Sequence, residues 1–174
     1  MSINDLKRLI HDVPDFPKPG VVFKDITPLL ADPEGFNYTV DLLADRLIAT
    51  DTQEILAIES RGFIFGAAVA AKMSIPLQLV RKPGKLPRRT VGQDYALEYG
   101  TDRVEVHSNV IDTATRYAIV DDLIATGGTA SATTQLVLQH GAQISCCAFV
   151  IELNFLQGRE QLNGCKVESL LHYD

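Results

Sequence analysis

The segment Ile119-Val-Asp-Asp-Leu-Ile-Ala-Thr-Gly-Gly-Thr-Ala130 holds the densest set of chemically capable residues in the chain. Thr126-Gly127-Gly128-Thr129 stands where an apolar, strand-like run gives way to a helical one. Two glycines let neighbouring main-chain N–H groups turn into one concavity, and two threonines add hydroxyl donors. The N-terminus of the following helix adds positive potential. Such a pocket suits a terminal phosphate monoester. Asp121 and Asp122 stand just ahead of it. Carboxylates there repel a phosphate unless the ligand also carries groups that acids bind. Ribose 2′- and 3′-hydroxyls are good donors to carboxylates, and acids at that spot favour positive charge growing on a sugar ring. The two halves together read as a site for a ribose 5-phosphate. The glycines alone would equally fit a capped turn beside two solvated acids; the apolar strand ahead of them and the acid doublet weigh against that. No G-x-x-x-x-G-K-[ST] and no G-x-G-x-x-G pattern occurs, which sets aside P-loop and dinucleotide-binding chemistry.

A second concentration is Arg81-Lys-Pro-Gly-Lys-Leu-Pro-Arg-Arg89, five cations in nine residues within a chain of net charge −6. An acidic chain with one basic loop implies a local site for a small anion and argues against a nucleic-acid partner. Pro83, Gly84, Pro87 and Gly92 supply stiff and free joints, so residues 82–93 suit a loop that closes over a reactive intermediate. Arg61 and Glu98 are further candidates, although each alone would also suit a surface ion pair or an exposed strand acid. Cys146, Cys147 and Cys165 have no zinc or C-x-x-C spacing and read as reduced, buried thiols.

The elements that must hold these residues follow from period and breakers. Ser2–His11 reads as a short amphipathic helix, and Val13–Gly20, with three prolines, as irregular chain continuing in an apolar loop to Pro28. Asp32-Pro33-Glu34 starts a helix whose period runs to Leu47. Strands follow at Glu54–Glu59 and Ile75–Val80, with an Ala-rich helix from Phe63 to Lys72 between them. Asp94–Tyr99 and Arg103–His107 alternate around Gly100 as an antiparallel hairpin. Arg116–Val120 is a buried strand, then comes a helix to about His140, a strand over Gln143–Leu153, a short helix near Gly158–Leu162 and a last strand near Val167–Leu171. This alternation predicts a single α/β domain over 1–174, with a mainly parallel central sheet flanked by helices. Residues 1–31 form an N-terminal helix and hood, and 82–107 a catalytic loop and hairpin flap. Ligands of such sheets bind beyond the C-terminal strand ends, where Asp121–Thr129 lies. With 46% hydrophobic and 22% charged residues over 174 positions, the chain has the composition of a globular domain. It lacks the ~20-residue apolar run of a membrane span, and its charged N-terminus has no signal-peptide core. A cytoplasmic location is expected.

The Asp121–Thr129 segment resembles the phosphoribosyl pyrophosphate signature of type I phosphoribosyltransferases. Phe16–Ile26, Glu59–Gly66, Arg81–Pro87, Tyr95–Gly100 and the tail through Leu156-Gln-Gly-Arg-Glu-Gln-Leu162 narrow the resemblance to the adenine-specific branch, over nearly the whole chain. The resemblance implies the type I phosphoribosyltransferase fold and transfer of phosphoribosyl from phosphoribosyl pyrophosphate to N9 of adenine, giving AMP and pyrophosphate. It implies Mg²⁺ carried by the substrate's pyrophosphate and ribose, with no direct protein ligand, and a homodimer. It implies that Ala125, Thr126, Gly127, Gly128 and Thr129 bind the 5-phosphate while Asp121 and Asp122 face the ribose. Ser60-Arg61-Gly62 forms the pyrophosphate loop, Lys85 reaches the pyrophosphate, and Arg81 serves it too, from the partner subunit. Glu98 and Tyr99 belong to the catalytic flap, Glu98 managing protons on the base. Val22 and Phe23 fall in the adenine hood, Phe23 stacking on the purine and the Val22 peptide group reading its edge. Lys24 stands where many members carry arginine; charge is kept, the bidentate fork is lost, and no planar contact is assigned to it. Members that use 6-oxopurines read the oxo group with a late lysine, and the strand Ile144–Leu153 has none. A phosphoribosyltransferase for another purine, and a regulator that only senses phosphoribosyl pyrophosphate, are the alternatives. The second would need an added nucleic-acid-binding element, and none is visible.

Overall fold

The fold is described from a computed structural model covering residues 1–96, 100–162 and 164–174. The chain divides into two compact units, Met1–Leu42 and Leu43–Asp174.

In the first unit, α1 (Ile3–Arg8) is short and depends on its ends. Ser2 Oγ accepts from the Asp5 N–H while the Asp5 carboxylate accepts from the Ser2 N–H, a reciprocal capping box. The sequence predicts irregular chain from Val13 to Pro28. Instead His11–Pro14 (β1) and Val22–Asp25 (β2) pair as an antiparallel ribbon, followed by a one-turn helix α2 (Thr27–Ala31) with proline in its first turn. Pro14 closes the pairing opposite Val22, at the strand end where a missing N–H costs least. Phe16 and Phe23 meet edge-on, 5.2 Å between centroids. Lys24, buried, forms an ion pair with Asp12 across the ribbon. Helix α3 (Pro33–Ile48) begins in this unit and ends in the second.

The second unit is built on five parallel strands in the order β4-β3-β7-β8-β9. These are β3 (Glu54–Ile58), β4 (Leu77–Val80), β7 (Arg116–Ile124), β8 (Gln143–Leu153) and β9 (Val167–Tyr173). Helix α4 (Gly62–Met73) connects β3 to β4, and α5 (Gly128–Gln139) connects β7 to β8. Strands buried on both faces read as unbroken apolar runs, and Ile55–Ala57 and Ala118–Val120 have no exposed surface. Gly66 lets α4 lie close on β3: a Cβ there would fall 2.5 Å from Ala57 Cβ. Tyr117 is fully buried because its hydroxyl is satisfied, donating to the Val110 carbonyl and accepting from the Asp112 N–H, both at 2.9 Å.

From β3 the chain runs outward to β4, then returns to β7 on the other side of β3 and continues to β8 and β9. The β3–β7 boundary is therefore the topological switch point, where the following loops diverge and leave a crevice. Element boundaries differ from the sequence reading at several ends, and two of these differences bear on the site. Strand β7 continues past Val120 to Ile124, so Asp121 and Asp122 lie within it, Asp121 in register with Phe149. The hairpin strand β5 (Thr90–Ala96) begins four residues before Asp94 and pairs with β6 (Thr101–His107) over seven positions, so the basic segment 82–93 is strand in its last part.

Candidate active site

The end of β7 opens into a cavity of about 110 Å³ lined by Asp121, Ala125, Thr126, Gly127, Gly128 and Thr129, with Phe149 from β8 behind. Gly127 is the N-cap of α5, at φ 84°, in the left-handed region where a side chain is strained. No side chain caps the helix among the described residues, so its first N–H groups are left for a ligand. A second reason for glycine is contact. A Cβ at Gly127 would lie 2.2 Å from the Gly158 carbonyl oxygen, and a Cβ at Gly158 would lie 2.2 Å from the Ala125 carbonyl oxygen. The 3₁₀ turn Gly158–Leu162 thus lies backbone-to-backbone against the Ala125–Thr129 turn. Arg159 fixes it by a fork of two hydrogen bonds, 2.6 and 2.7 Å, to Glu152 near the end of β8. Glu152 is 3% exposed, and the Arg159 bonds hold its carboxyl below the usual range.

Asp121 is half-buried and Asp122 buried. Asp122 takes Arg61 as its ion-pair partner at 2.9 Å, and its N–H donates to Asp121 Oδ1 at 2.8 Å. Burial first, then the charge of Asp122, pushes the Asp121 carboxyl well above the ordinary carboxylate range. Burial also raises Asp122, with Arg61 opposing. Gly62 stands where a Cβ would be 2.8 Å from Asp121 Oδ1 and from the Val120 carbonyl. The Ser60-Arg61-Gly62 loop after β3 and the cradle after β7 therefore meet at the switch point.

The basic segment is internally tied. Arg81 gives Nε and Nη2 to the Glu59 carboxylate, at 3.2 and 3.3 Å, and Nη1 to the Lys85 carbonyl at 3.0 Å. Its guanidinium lies 5.9 Å from the centre of the Phe63 ring. The Lys85 side chain itself is exposed. Lys82 pairs with Asp102 and donates to Tyr95 Oη at 2.7 Å, and Tyr95 Oη lies 3.1 Å from Thr129 Oγ1. The hairpin is thereby joined to the cradle.

A Gly-Gly turn at a helix N-terminus, an acid pair held by arginine and a basic segment are thus all found in the second unit. The model of the phosphoribosyl transferase domain family matches residues 40–169. The chain is 52% identical to the adenine phosphoribosyltransferase of Syntrophotalea carbinolica over 98% of its length and all of that protein's. The chain belongs to the adenine phosphoribosyltransferase family. The crystal structure of the Thermoanaerobacter pseudethanolicus member superimposes with a TM-score of 0.96 at 44% identity, covering 99% of this chain and 100% of that one. That of the Saccharomyces cerevisiae member, complexed with an imino-altritol bisphosphate and adenine, gives 0.90 at 38%, covering 97% and 98%.

Of the family positions expected from the sequence, Asp121 and Ala125–Thr129 share one cavity, Arg61 and Asp122 are paired, and Arg81 holds the Lys85 main chain. Val22, half exposed, and Phe23 lie on the ribbon of the first unit, where Phe23 lines a cavity of about 200 Å³ with Val13, Phe16 and Asp25. Glu98 and Tyr99 lie outside the described residues. Sequence reasoning gave no role to Gly158, to the Glu152–Arg159 pair, or to Tyr95, Lys82 and Asp102. The Gly158-Arg159 doublet in the tail was the available signal, but its partner segment is distant in sequence.

Proposed function

We propose that this family member performs the adenine phosphoribosyltransferase reaction of purine salvage with the residues assembled at the β3–β7 switch point. The observation that carries the assignment is the junction of an amide cradle with an arginine-held acid pair at the end of one strand. Main-chain N–H groups and the hydroxyls of Thr126 and Thr129 hold the 5-phosphate. Asp121 and Asp122 face the ribose hydroxyls, and negative charge there favours the cationic sugar formed as C1 parts from pyrophosphate. Arg61, Lys85 and Arg81 place positive charge where the diphosphate leaves, Arg81 reaching it from the partner in a homodimer. Glu98 manages the proton on the base as N9 bonds to C1. Val22 offers a peptide N–H and C=O to the adenine edge, and Phe23 its ring to the purine face.

Among the described residues no three His, Cys, Asp or Glu side chains converge on a metal. In this reading Mg²⁺ is carried by the substrate's own pyrophosphate and ribose oxygens, a donor set that suits a hard cation that keeps several waters. Bound there, the ion neutralises charge on the departing diphosphate. No helix among the described residues is long and apolar enough to cross a membrane.

The test is a panel of adenine, hypoxanthine, guanine and xanthine with phosphoribosyl pyrophosphate and Mg²⁺, following pyrophosphate release. Adenine should dominate. Preferential turnover of a 6-oxopurine would overturn the base assignment, and no turnover of any base would overturn the enzymatic one.

A further inference from the structure

The Tyr95 hydroxyl is surrounded by three polar groups. Lys82 Nζ donates to it at 2.7 Å, it donates to Asp102 Oδ2 at 2.9 Å, and Thr129 Oγ1 lies 3.1 Å away. Lys82 and Asp102 are also directly paired with each other. A phenol has one proton and two acceptor lone pairs. An ammonium can only donate and a carboxylate can only accept, so the Tyr95 proton is committed to Asp102 and one lone pair to Lys82. The Asp102 carboxyl is held below its usual range, first by its bond from Lys82, which keeps it an acceptor. What remains for Thr129 is the second lone pair of Tyr95. Thr129 must therefore be the donor in that contact, and its own single proton points at Tyr95.

We propose that Tyr95 is a positioning residue that competes with the ligand phosphate for the one proton of Thr129, so that filling the cradle breaks this polar link between the hairpin and α5. This rests on the reading of Ala125–Thr129 as the phosphate site. A phosphate in the cradle draws the Thr129 proton to itself. Tyr95 and Thr129 then face each other as two oxygens with no proton between them, unless Tyr95 withdraws its proton from Asp102. Either way one hydrogen bond of the empty protein is given up when phosphate binds. Tyr95 is the last residue but one of β5, and its ring packs over Gly128, where a Cβ would meet it at 3.3 Å. The lost bond is thus a polar link between the cradle and β5.

Replacing Tyr95 by Phe keeps the ring on Gly128 and removes the competitor. Isothermal titration with ribose 5-phosphate should show binding about two- to tenfold tighter in Tyr95→Phe than in the unaltered protein, the worth of one net hydrogen bond. Pyrophosphate, which does not need Thr129, should bind equally to both. Asp102→Asn, a weaker neutral acceptor that frees the Tyr95 proton more readily, should shift ribose 5-phosphate in the same direction by less. A residue that only supports the fold would instead weaken both ligands. Ribose 5-phosphate binding that is unchanged or weaker in a folded Tyr95→Phe protein overturns the competition. If the unaltered protein does not bind ribose 5-phosphate at all, the cradle reading itself falls, and this inference with it.

Discussion

Gly158 touches no ligand in the proposed site, yet Gly158→Ala should damage phosphate binding. The residue is not in the left-handed region, so alanine meets no backbone penalty, and the effect is purely one of contact. A Cβ would stand 2.2 Å from the Ala125 carbonyl oxygen and 3.0 Å from both the Ala125 carbonyl carbon and the Gly127 nitrogen. Real Cβ atoms essentially never come within 3.0 Å, so the two backbones must part by at least 0.8 Å (3.0 minus 2.2). Overpacking of this kind costs about 1–3 kcal/mol. The strain has two exits. If the phosphate turn yields, its amides leave their positions and affinity for ribose 5-phosphate falls by about 5–150-fold, the strain converted to binding. If the 3₁₀ turn yields, the Arg159–Glu152 fork stretches and the loss appears as stability. Calorimetric affinity and thermal melting, measured together on Gly158→Ala, separate the exits. The fork is short, bidentate and seated on a buried carboxylate, so the turn that carries Gly158 is the stiffer side and affinity should suffer most. Unchanged affinity together with an unchanged melting temperature would refute the reasoning.

Asp121→Asn should stabilise the protein at neutral and higher pH while weakening ribose-bearing ligands by about tenfold, the loss of a charge-assisted hydrogen bond. The Asp121 pKa is raised on folding, so its contribution to stability is fully present below the unfolded carboxylate value and is lost as pH rises through the folded one. The melting-temperature advantage of the variant should therefore grow with pH and vanish in acid; an advantage confined to acid would contradict it. Glu98→Gln should cut turnover by about 10²–10⁴-fold with phosphoribosyl pyrophosphate affinity preserved, and near-normal turnover would remove Glu98 from proton handling.

What the sequence disclosed depended on how local the cause was. Strands β3, β7 and β8 are apolar runs, and the Gly-Gly turn with its flanking threonines announces a cradle by residue type alone. The β1–β2 ribbon was hidden because β1 is exposed along its whole length, leaving no alternation to read beside its prolines. Asp121 and Asp122 read as following the strand because they are polar, whereas β7 carries them on to Ile124 toward the site. Arg61 was legible as a candidate, but its partnership with Asp122 is a consequence of β3 lying beside β7. The Gly127–Gly158 contact and the Tyr95–Thr129 contact join segments far apart in the chain, so no local pattern encodes either.

The close seating of Gly158 on the phosphate turn also orders events during synthesis. Strands β3, β4 and β7 and the Gly-Gly turn emerge from the ribosome well before the tail, and nothing local prevents them from pairing. The turn stays without its backing until the chain beyond Leu153 arrives and Arg159 finds Glu152. The Ala125–Thr129 turn thus owes its backing to residues made long after it, and reaches its packed position only once that later chain has folded against it.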